Sequence, residues 1–598
     1  MQDLLKILCL STPTGDEQRV AQMACHAGLQ AQFCDCSKLH AATSPPQDPP
    51  EGHCHAAVAH WRTLQELTHA SVDGKEPLSA LGMLPKTLFV YGWQEAEPCP
   101  AFLQRLTGGV ITGVRAIVGS ARRVSIPAAS RDYCRQLSGL DFDIGSHALS
   151  ASFVVPHDVA SIRPLVLING LPFFAELQVR ETLLVLVGCE KIADLETPIV
   201  SGNSLLPFFE QLLPLLMFLR RHYGDCTWHA EHARGCFILD DPPLRQRYGY
   251  FEFAKLHAAI GQQPFALSIA FIPWNYRRSQ SKVVALLRAH QDRYSLCVHG
   301  CDHTRAEFGR TNQRELSERA MCALARMKDH ERRFGVGFNP VMVFPQGIFS
   351  SAAMAALRAC GYSAAVNSTI HPADSPWAAV KLRDLLDVAV CTHSGFPLFL
   401  RRYPDNIVDF AMDFFLGKPA LVVEHHGYFR RGYSDLMRFL ERFSALDNTL
   451  QWSDLQTIAS RAALQRISER GDLEVRFCSD CFWILNDTGC VRRYTLCRTH
   501  SGGESSLEVS VDGDATEHDG SGAHWKVAIT LQPGQVAIVR IRARGDGASK
   551  RMFRPGRVYK TKVLVRRHLS EFRDNYLERI GILQRMCHSA SGVLRRLP

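Results

Sequence analysis

The chain of 598 residues lacks a hydrophobic run long enough to cross a membrane. Its first residues, MQDLLKILCLSTPTGDE, carry an acid at position 3 and no small-residue cleavage site, so we expect no secretory signal. The opening pattern has no glycine-rich phosphate fingerprint, and we expect no nucleotide site and no nucleic-acid partner. The 20 cysteines are scattered, without the dense spacing of disulfide-stapled domains. These absences predict a cytoplasmic protein with reduced thiols.

The composition is that of a globular protein, with 46% hydrophobic and 21% charged residues. A chain of this length exceeds one hydrophobic core and predicts several domains. Charge is uneven: residues 550–598 hold 13 Lys/Arg against 3 Asp/Glu, whereas the net charge of the whole chain is only +9. The basic character therefore belongs to the C-terminal segment.

Four regions follow from the pattern of strands, helices and turns. Residues 1–200 alternate strand and helix and then become rich in strands, which predicts an α/β domain without a catalytic role. A predicted helix at 204–224 leads into an alternating α/β region, 201–469. Short alternating runs separated by turn residues predict a β-sandwich over 470–546, and a basic helical tail occupies 547–598.

The second region contains seven apolar runs that predict the strands of a parallel sheet or barrel. They are 235–239, 265–271, 295–298, 341–344, 362–366, 387–391 and 420–423. In such barrels the active site is built where the strands end. Here the first strand runs into Asp240 and Asp241, the third into His299 and His303, and the last into Glu424-His425-His426. Acids and imidazoles are thus predicted to converge on one rim.

This pattern resembles the NodB-homology polysaccharide deacetylases of carbohydrate esterase family four. Their motifs are a strand ending in two aspartates, His-x-x-x-His, a Pro-Tyr-Gly turn and a late strand ending in His. The resemblance covers roughly 190 residues and implies a distorted (β/α)7 barrel, preceded by the α/β domain and followed by the sandwich. The run from Arg163 to Leu195 resembles the closing β-meander of glutamine-amidotransferase-like domains, without a recognisable paired cysteine and histidine.

The family resemblance implies a role for each of these residues. Asp241, His299 and His303 would hold a divalent metal, zinc being the expected ion, while Asp240 would be the general base and His425 the general acid. A metal lowers the pKa of bound water toward about 7 and polarises a carbonyl, which is what slow amide hydrolysis requires. The zinc-protease motif HExxH is excluded because Gly300 follows the first histidine.

The sequence departs from the family at two positions. The arginine that orients the base is replaced by Val343 in MVFPQG, and Arg245 and Arg247 are the nearest candidates to substitute for it. Gln346 replaces the usual tyrosine, although its backbone N–H can still bind an oxyanion. The same rim would bind substrate through Arg245, Arg247, Gln346 and His426.

Two aromatic residues leave the second strand in IPWNYRR, and either could stack on a sugar ring. We therefore include Trp274 and Tyr276 among the substrate-binding candidates. Core packing of at least one of them is the alternative.

The predicted function is that of a metal-dependent amidohydrolase, acting on a C–N bond that is not a peptide. It would remove an acyl group, N-acetyl being expected, from an acetylated glycan or glycolipid. The alternatives are a non-catalytic carbohydrate-binding or assembly protein that retains the barrel, and an O-acetyl esterase with the same metal site.

The basic tail has helical periodicity, with apolar residues alternating with arginines. The apolar positions are Val565, Leu569, Phe572, Tyr576, Ile580 and Leu583. Two interpretations are open: the apolar face packs on the sandwich, or it attaches the protein peripherally to anionic lipid on the inner face of the membrane.

Overall fold

A computed structural model of the chain describes residues 4–35, 56–69, 85–156, 161–375, 380–468, 470–499, 507–516, 524–543 and 552–577. These ranges contain a mixed α/β domain, a closed parallel barrel, a β-sandwich and a separate C-terminal helix. The fold class predicted from the sequence is confirmed. Within the described ranges, every helix is too short or too polar to traverse a lipid bilayer.

The N-terminal domain is built on a nine-stranded sheet in which parallel strands give way to antiparallel ones. In spatial order the strands are Gln30–Asp35, Leu4–Cys9, Ala57–His60, Thr87–Tyr91, Thr182–Val187, Leu171–Val179, Ile162–Ile168, Ala121–Ser125 and Asp141–Gly145. A two-stranded sheet pairs Gly113–Ala116 with Ala151–Val154. The main helices are Gly15–His26, Trp61–His69, Cys99–Leu106 and Phe209–Tyr223. The last of these packs its apolar residues into the core that continues into the barrel.

The barrel consists of seven parallel strands, and the first pairs with both the second and the seventh, which closes the sheet. We number them one to seven: Arg234–Asp240, Leu267–Phe271, Tyr294–His299, Phe338–Val343, Ala364–Asn367, Leu398–Arg402 and Ala420–Glu424. A short eighth strand, Gln451–Trp452, pairs beside the start of strand one. The helices around the barrel are Phe253–Ile260, Ser281–Ala289, Gln313–Phe334, Ser351–Ala359, Leu382–Leu386, Ile407–Phe415, Ser434–Leu446 and Leu455–Arg461. Because all seven strands are parallel, their C-terminal ends meet at one rim, as predicted.

Strand six is the one that the sequence misplaces. The prediction put it at 387–391, but that segment follows the helix Leu382–Leu386 and makes only an isolated bridge, between Val390 and Leu398. The strand is Leu398–Arg402, which pairs with strands five and seven. The segment 387–391 is apolar because Val390 and its neighbours are buried, and burial of a loop imitates the composition of a strand.

The sandwich follows the barrel without a long linker. One sheet contains Ala463–Ile467, Leu473–Phe477, Arg492–Thr499 and His524–Leu531, and the other contains Cys481–Leu485, Val536–Ala543, Leu507–Val511 and Asp514–Ala515. Its first strand begins ahead of residue 470, where the sequence analysis starts the domain. Between the sheets, Phe477 and Phe482 stack with ring centroids 4.2 Å apart. The C-terminal helix, Arg557–Asn575, packs on the barrel rather than on the sandwich.

Candidate metal centre

Strand one delivers two neighbouring carboxylates to the rim in different environments. Asp240 is the last residue of the strand and is buried, whereas Asp241 follows it in a left-handed conformation with φ 74°. A non-glycine residue rarely adopts this conformation, and its cost of about 1–3 kcal/mol is met only where the surroundings fix it. The turn sends the two side chains to different partners, Asp241 to imidazoles and Asp240 to a guanidinium.

Strand three delivers both histidines through a turn that needs glycine. His299 ends the strand, and Gly300 follows with φ 65°. A Cβ atom at Gly300 would lie 2.1 Å from Glu307 Oε1 and 2.4 Å from Pro345 Cγ, so no side chain fits there. The tight turn brings His303, itself at φ 54°, back beside His299, with ring centroids 5.0 Å apart.

Asp241, His299 and His303 form a compact set of possible metal ligands. Asp241 Oδ1 lies 3.3 Å from His299 Nε2 and 3.0 Å from His303 Nε2, and each residue offers one ligand atom within 4.8 Å of the others. Burial raises the pKa of Asp241, but the two imidazoles outweigh it and hold that pKa well below its usual value. One carboxylate and two imidazoles leave coordination positions open for water and substrate.

The hydrogen bonding of His299 fits a metal in this place. Its Nδ1 lies 2.9 Å from the carbonyl oxygen of Val343, an acceptor, so Nδ1 carries the proton and donates it. Its Nε2 faces Asp241 Oδ1 at 3.3 Å. Burial lowers the pKa of this ring, but Asp240 and Asp241 outweigh it and raise that pKa, so a positive charge is favoured at Nε2. Asp241 Oδ1 is buried and has no hydrogen-bond donor of good geometry among the described residues. A positive charge between these two atoms, supplied by a proton or by a metal ion, stabilises their close approach, and orienting a ligand histidine through its other nitrogen is usual at metal sites.

Glu307 is a residue of the site that the sequence analysis did not identify. Its buried carboxylate accepts hydrogen bonds from the backbone N–H groups of Cys301, Asp302 and His303, at 2.8, 3.1 and 3.0 Å. Three charge-assisted bonds therefore fix the loop that carries His303. A glutamate after an HxxxH motif has no distinctive spacing, so the sequence offers no signal for this role.

We expect Glu307→Ala to weaken zinc binding by about 10- to 100-fold, because His303 loses the acceptor that holds its loop. Competition with a chromogenic chelator measures this affinity. Glu307→Gln, which keeps one acceptor oxygen, should recover part of it, and Glu441→Ala, at an exposed position of the outer helix Ser434–Leu446, serves as the control. Equal zinc affinity in the wild type and Glu307→Ala would show that the loop is held by other contacts.

Asp240 is paired with an arginine from strand six. Arg401 Nη1 lies 2.6 Å from Asp240 Oδ1, and both side chains are almost fully buried. Burial raises the pKa of Asp240, but Arg401, followed by His299 and His425, lowers it below the usual value, so the carboxylate is ionised and can accept a proton. The cation that pairs with Asp240 is therefore Arg401. It is neither Arg245, which lies 3.7 Å from Glu571, nor Arg247, which is exposed in the hairpin Arg247–Tyr248/Phe251–Glu252.

The opposite side of the site is formed by the end of strand seven. His425 is 42% exposed, and its Nε2 lies 3.7 Å from Asp240 Oδ2. The ring of Tyr403 stacks on it at 6.3 Å with a 15° angle between planes. Burial raises the pKa of the neighbouring Glu424 to about 7, with Asp405 and Asp240 acting in the same direction. This side of the rim thus holds a solvent-facing imidazole and a carboxyl that exchanges its proton near neutral pH.

The predicted substrate-binding residues occupy several parts of the rim. Trp274 is half-buried, stacks against the Arg278 guanidinium at 4.8 Å and meets His568 of the C-terminal helix edge-on at 6.1 Å. Tyr276 is half-buried beneath Arg277, 4.9 Å away. Gln346 is exposed, and its side chain accepts the Ala306 N–H at 3.3 Å. It therefore contacts residues 300–307, the loop that carries His303, which we call the metal loop.

His426 faces away from the triad. It is buried between Tyr248 and Tyr250, and its Nε2 lies 3.8 Å from Asp574 of the C-terminal helix. Its contacts are those of a residue that joins the rim to this helix. Strand seven thus directs the two adjacent histidines to different places, with only His425 beside Asp240.

Comparison with known proteins gives structural similarity without sequence similarity. No protein-family model and no curated protein matches the chain. Agd3, a carbohydrate deacetylase, aligns over 91% of this chain and 99% of its own, with 8% identity and a TM-score of 0.43. A family 4 carbohydrate esterase from Streptomyces lividans covers 38% of this chain and 94% of its own, with 11% identity and a TM-score of 0.24. A family 4 pseudoenzyme from Bacillus anthracis covers 38% and 71%, with 8% identity and a TM-score of 0.23. The chain is thus similar to carbohydrate deacetylases and family 4 esterases over part or most of its length.

Proposed function

We propose that this protein is a zinc-dependent deacetylase that hydrolyses the N-acetyl group of a glycan or glycolipid. The observation that carries the proposal is the placement of an ionised, arginine-paired Asp240 directly beside the compact triad Asp241, His299 and His303. A base next to a metal-ligand set, facing an exposed imidazole, is what hydrolysis of an amide requires.

Asp241, His299 and His303 would hold the ion, whose contribution when bound is to acidify water and polarise the acetyl carbonyl. Asp240 then takes the proton of the attacking water, for which its lowered pKa keeps it ionised. His425 donates a proton to the leaving amine as the C–N bond breaks, releasing acetate and the free amino sugar. His425 is suited to this step because it reaches both solvent and the Asp240 carboxylate.

We expect His299→Ala and His303→Ala to lower the zinc content of the purified protein strongly, because each removes one of three ligands. Elemental analysis after dialysis measures it. His290→Ala, which alters a histidine outside the rim in contact with His257, is the matched control. Zinc content unchanged in both ligand variants would refute the site.

Acetate release from N-acetylated and O-acetylated oligosaccharides, with and without a chelator, tests the activity itself. The proposal requires chelator-sensitive release from N-acetylated substrates. Release from O-acetylated sugars alone would instead identify an esterase. Zinc and sugar binding without release of acetate would identify a carbohydrate-binding protein.

A further inference from the structure

The C-terminal helix crosses the rim of the barrel with its polar side inward. Near its start the hydroxyl of Tyr559 donates to Asp302 Oδ2 at 3.0 Å, in the metal loop after strand three. Near its end Glu571 pairs with Arg278, after strand two, at 2.5 and 2.9 Å. One turn further, Asp574 accepts the Tyr248 hydroxyl from the segment after strand one. Contacts with three strand-end segments fix the helix across the C-terminal end of the barrel.

An amphipathic helix usually packs its apolar side against the protein, but this helix packs a mainly charged side against the barrel and leaves its apolar side exposed. The residues buried against the barrel are Val563, Arg567, Glu571 and Asp574. The residues left exposed by 51% to 72% are Val558, Val565, Leu569, Phe572 and Tyr576, which we call the outer stripe. At about 100° per residue these two sets point to opposite sides of the helix. The sequence-based alternative in which the apolar face packs on the sandwich is therefore wrong for the described residues. Ile580 and Leu583 lie outside them.

The charges around the outer stripe are almost entirely positive. Residues 550–598 hold only three acids, Glu571, Asp574 and Glu578, and the first two are buried against the barrel. Arg557, Lys562 and Arg573 are exposed beside the stripe, and Arg554 is exposed just before the helix. The surface offered to a partner therefore combines an apolar ridge with cations. It spans about 27 Å of helix, at about 1.5 Å per residue from Val558 to Tyr576.

We propose that the outer stripe binds the surface of an anionic lipid bilayer. The apolar side chains would lie at the level of the headgroups and upper acyl chains while the flanking cations contact lipid phosphates. Charge complementarity favours this occupant over a second copy of the chain, because two such helices would bring like charges together. Since the inner side of the helix braces the rim, binding would turn the candidate metal centre toward the bilayer. Combined with the proposed function, this selects glycans carried at a lipid surface.

The test uses the full-length protein and co-sedimentation with vesicles. We expect binding to vesicles of phosphatidylcholine with phosphatidylglycerol at low salt, weak binding to phosphatidylcholine alone, and loss of binding at high salt. The double variant Leu569→Ser/Phe572→Ser should bind at least about tenfold more weakly, because it lacks two apolar side chains that would be buried in the bilayer. Arg557→Glu/Lys562→Glu, which alters two exposed cations on either side of the outer stripe, should weaken binding as well. Val118→Ser/Leu149→Ser, altering two exposed apolar residues of the N-terminal domain, is the matched control and should bind normally.

Three results would overturn the proposal. One is absence of binding to anionic vesicles at low salt. Another is a dimer in light scattering that Leu569→Ser/Phe572→Ser converts to monomer without any vesicle binding, which would assign the stripe to a second copy. The third is vesicle binding only after removal of residues 578–598, which would assign the stripe to that segment. Thermal unfolding of each variant verifies that it is folded. None of these measurements depends on acetate release, so failure here is distinct from failure of the proposed activity.

Discussion

Replacing Asp240 with asparagine is expected to lower acetate release by about 10²- to 10⁴-fold while zinc remains bound. That range is the usual contribution of a positioned general base. The amide keeps the shape of the carboxylate and can still accept the Arg401 hydrogen bond, but it cannot take a proton. The triad of possible ligands excludes Asp240, so zinc content should not change. Initial rates of acetate release, with metal content measured on the same samples, give both quantities.

A matched control is available because Arg402, the neighbour of Arg401 in strand six, also pairs with a buried aspartate. Asp413 is buried and pairs with Arg402 at 2.8 and 3.1 Å, away from the rim. Asp413→Asn should therefore reduce stability without reducing turnover per folded molecule. An Asp240→Asn variant that retains full activity, or that loses its zinc, would contradict the assignment of Asp240 as base.

Substituting Arg401 with methionine should move the acid limb of the activity profile to higher pH. Arg401 is the first cause that lowers the pKa of Asp240, opposing the burial that raises it. Without the guanidinium the pKa of Asp240 rises, and Asp240 holds its proton to a higher pH, so activity at pH 5 falls more than activity at pH 8. Arg401→Lys should restore part of the profile. The pH dependence of kcat/KM measures the shift.

The same substitution has a consequence for stability, and the size of the loss depends on pH. In the wild type the lowered pKa of Asp240 stabilises the folded protein above the unfolded-state pKa of about 3.9, and this contribution is lost as pH falls through the folded pKa. In Arg401→Met the folded-state pKa of Asp240 is higher than in the wild type, so the loss of stability relative to the wild type should be largest above both pKa values, at neutral pH. Removal of one partner of a buried pair costs about 3–5 kcal/mol. Arg402→Met should lose stability but keep the acid limb of the pH profile at its wild-type position. If the acid limb does not move in Arg401→Met, groups other than Arg401 lower the pKa of Asp240.

The sequence predicts most of the barrel because six of its strands are apolar runs followed by polar residues at the rim. It fails at strand six for a physical reason. The segment LFLRR ends in two arginines and reads as surface, yet Arg401 points inward to Asp240 and Arg402 outward to Asp413. Side chains alternate along a strand, and sequence alone does not say which of two adjacent arginines faces the interior. The pairing of Arg401 with Asp240 therefore cannot be predicted until the register is known.

The two histidines and the aspartate of the triad were predictable because their order matches a known pattern of strand ends. Glu307 was not, since its function arises from the fold of one loop that turns three N–H groups toward one carboxylate. The C-terminal helix falls between these cases. Its periodicity predicts an amphipathic helix, but which side packs depends on Arg278 and Tyr248, partners far away in the chain.

These distant partners also set the order in which the rim is completed during synthesis. Arg278 meets Glu571 across 293 residues, and Tyr248 meets Asp574 across 326. At about 5–20 residues per second, a ribosome needs about 15–60 s to make the chain between the first two. In the later part of that interval, once strand seven has been made, the nascent barrel has its strand-end aspartates and histidines but not the helix that braces their loops. The rim therefore matures late, after its strands have emerged, and a prematurely ended chain would carry an unbraced site.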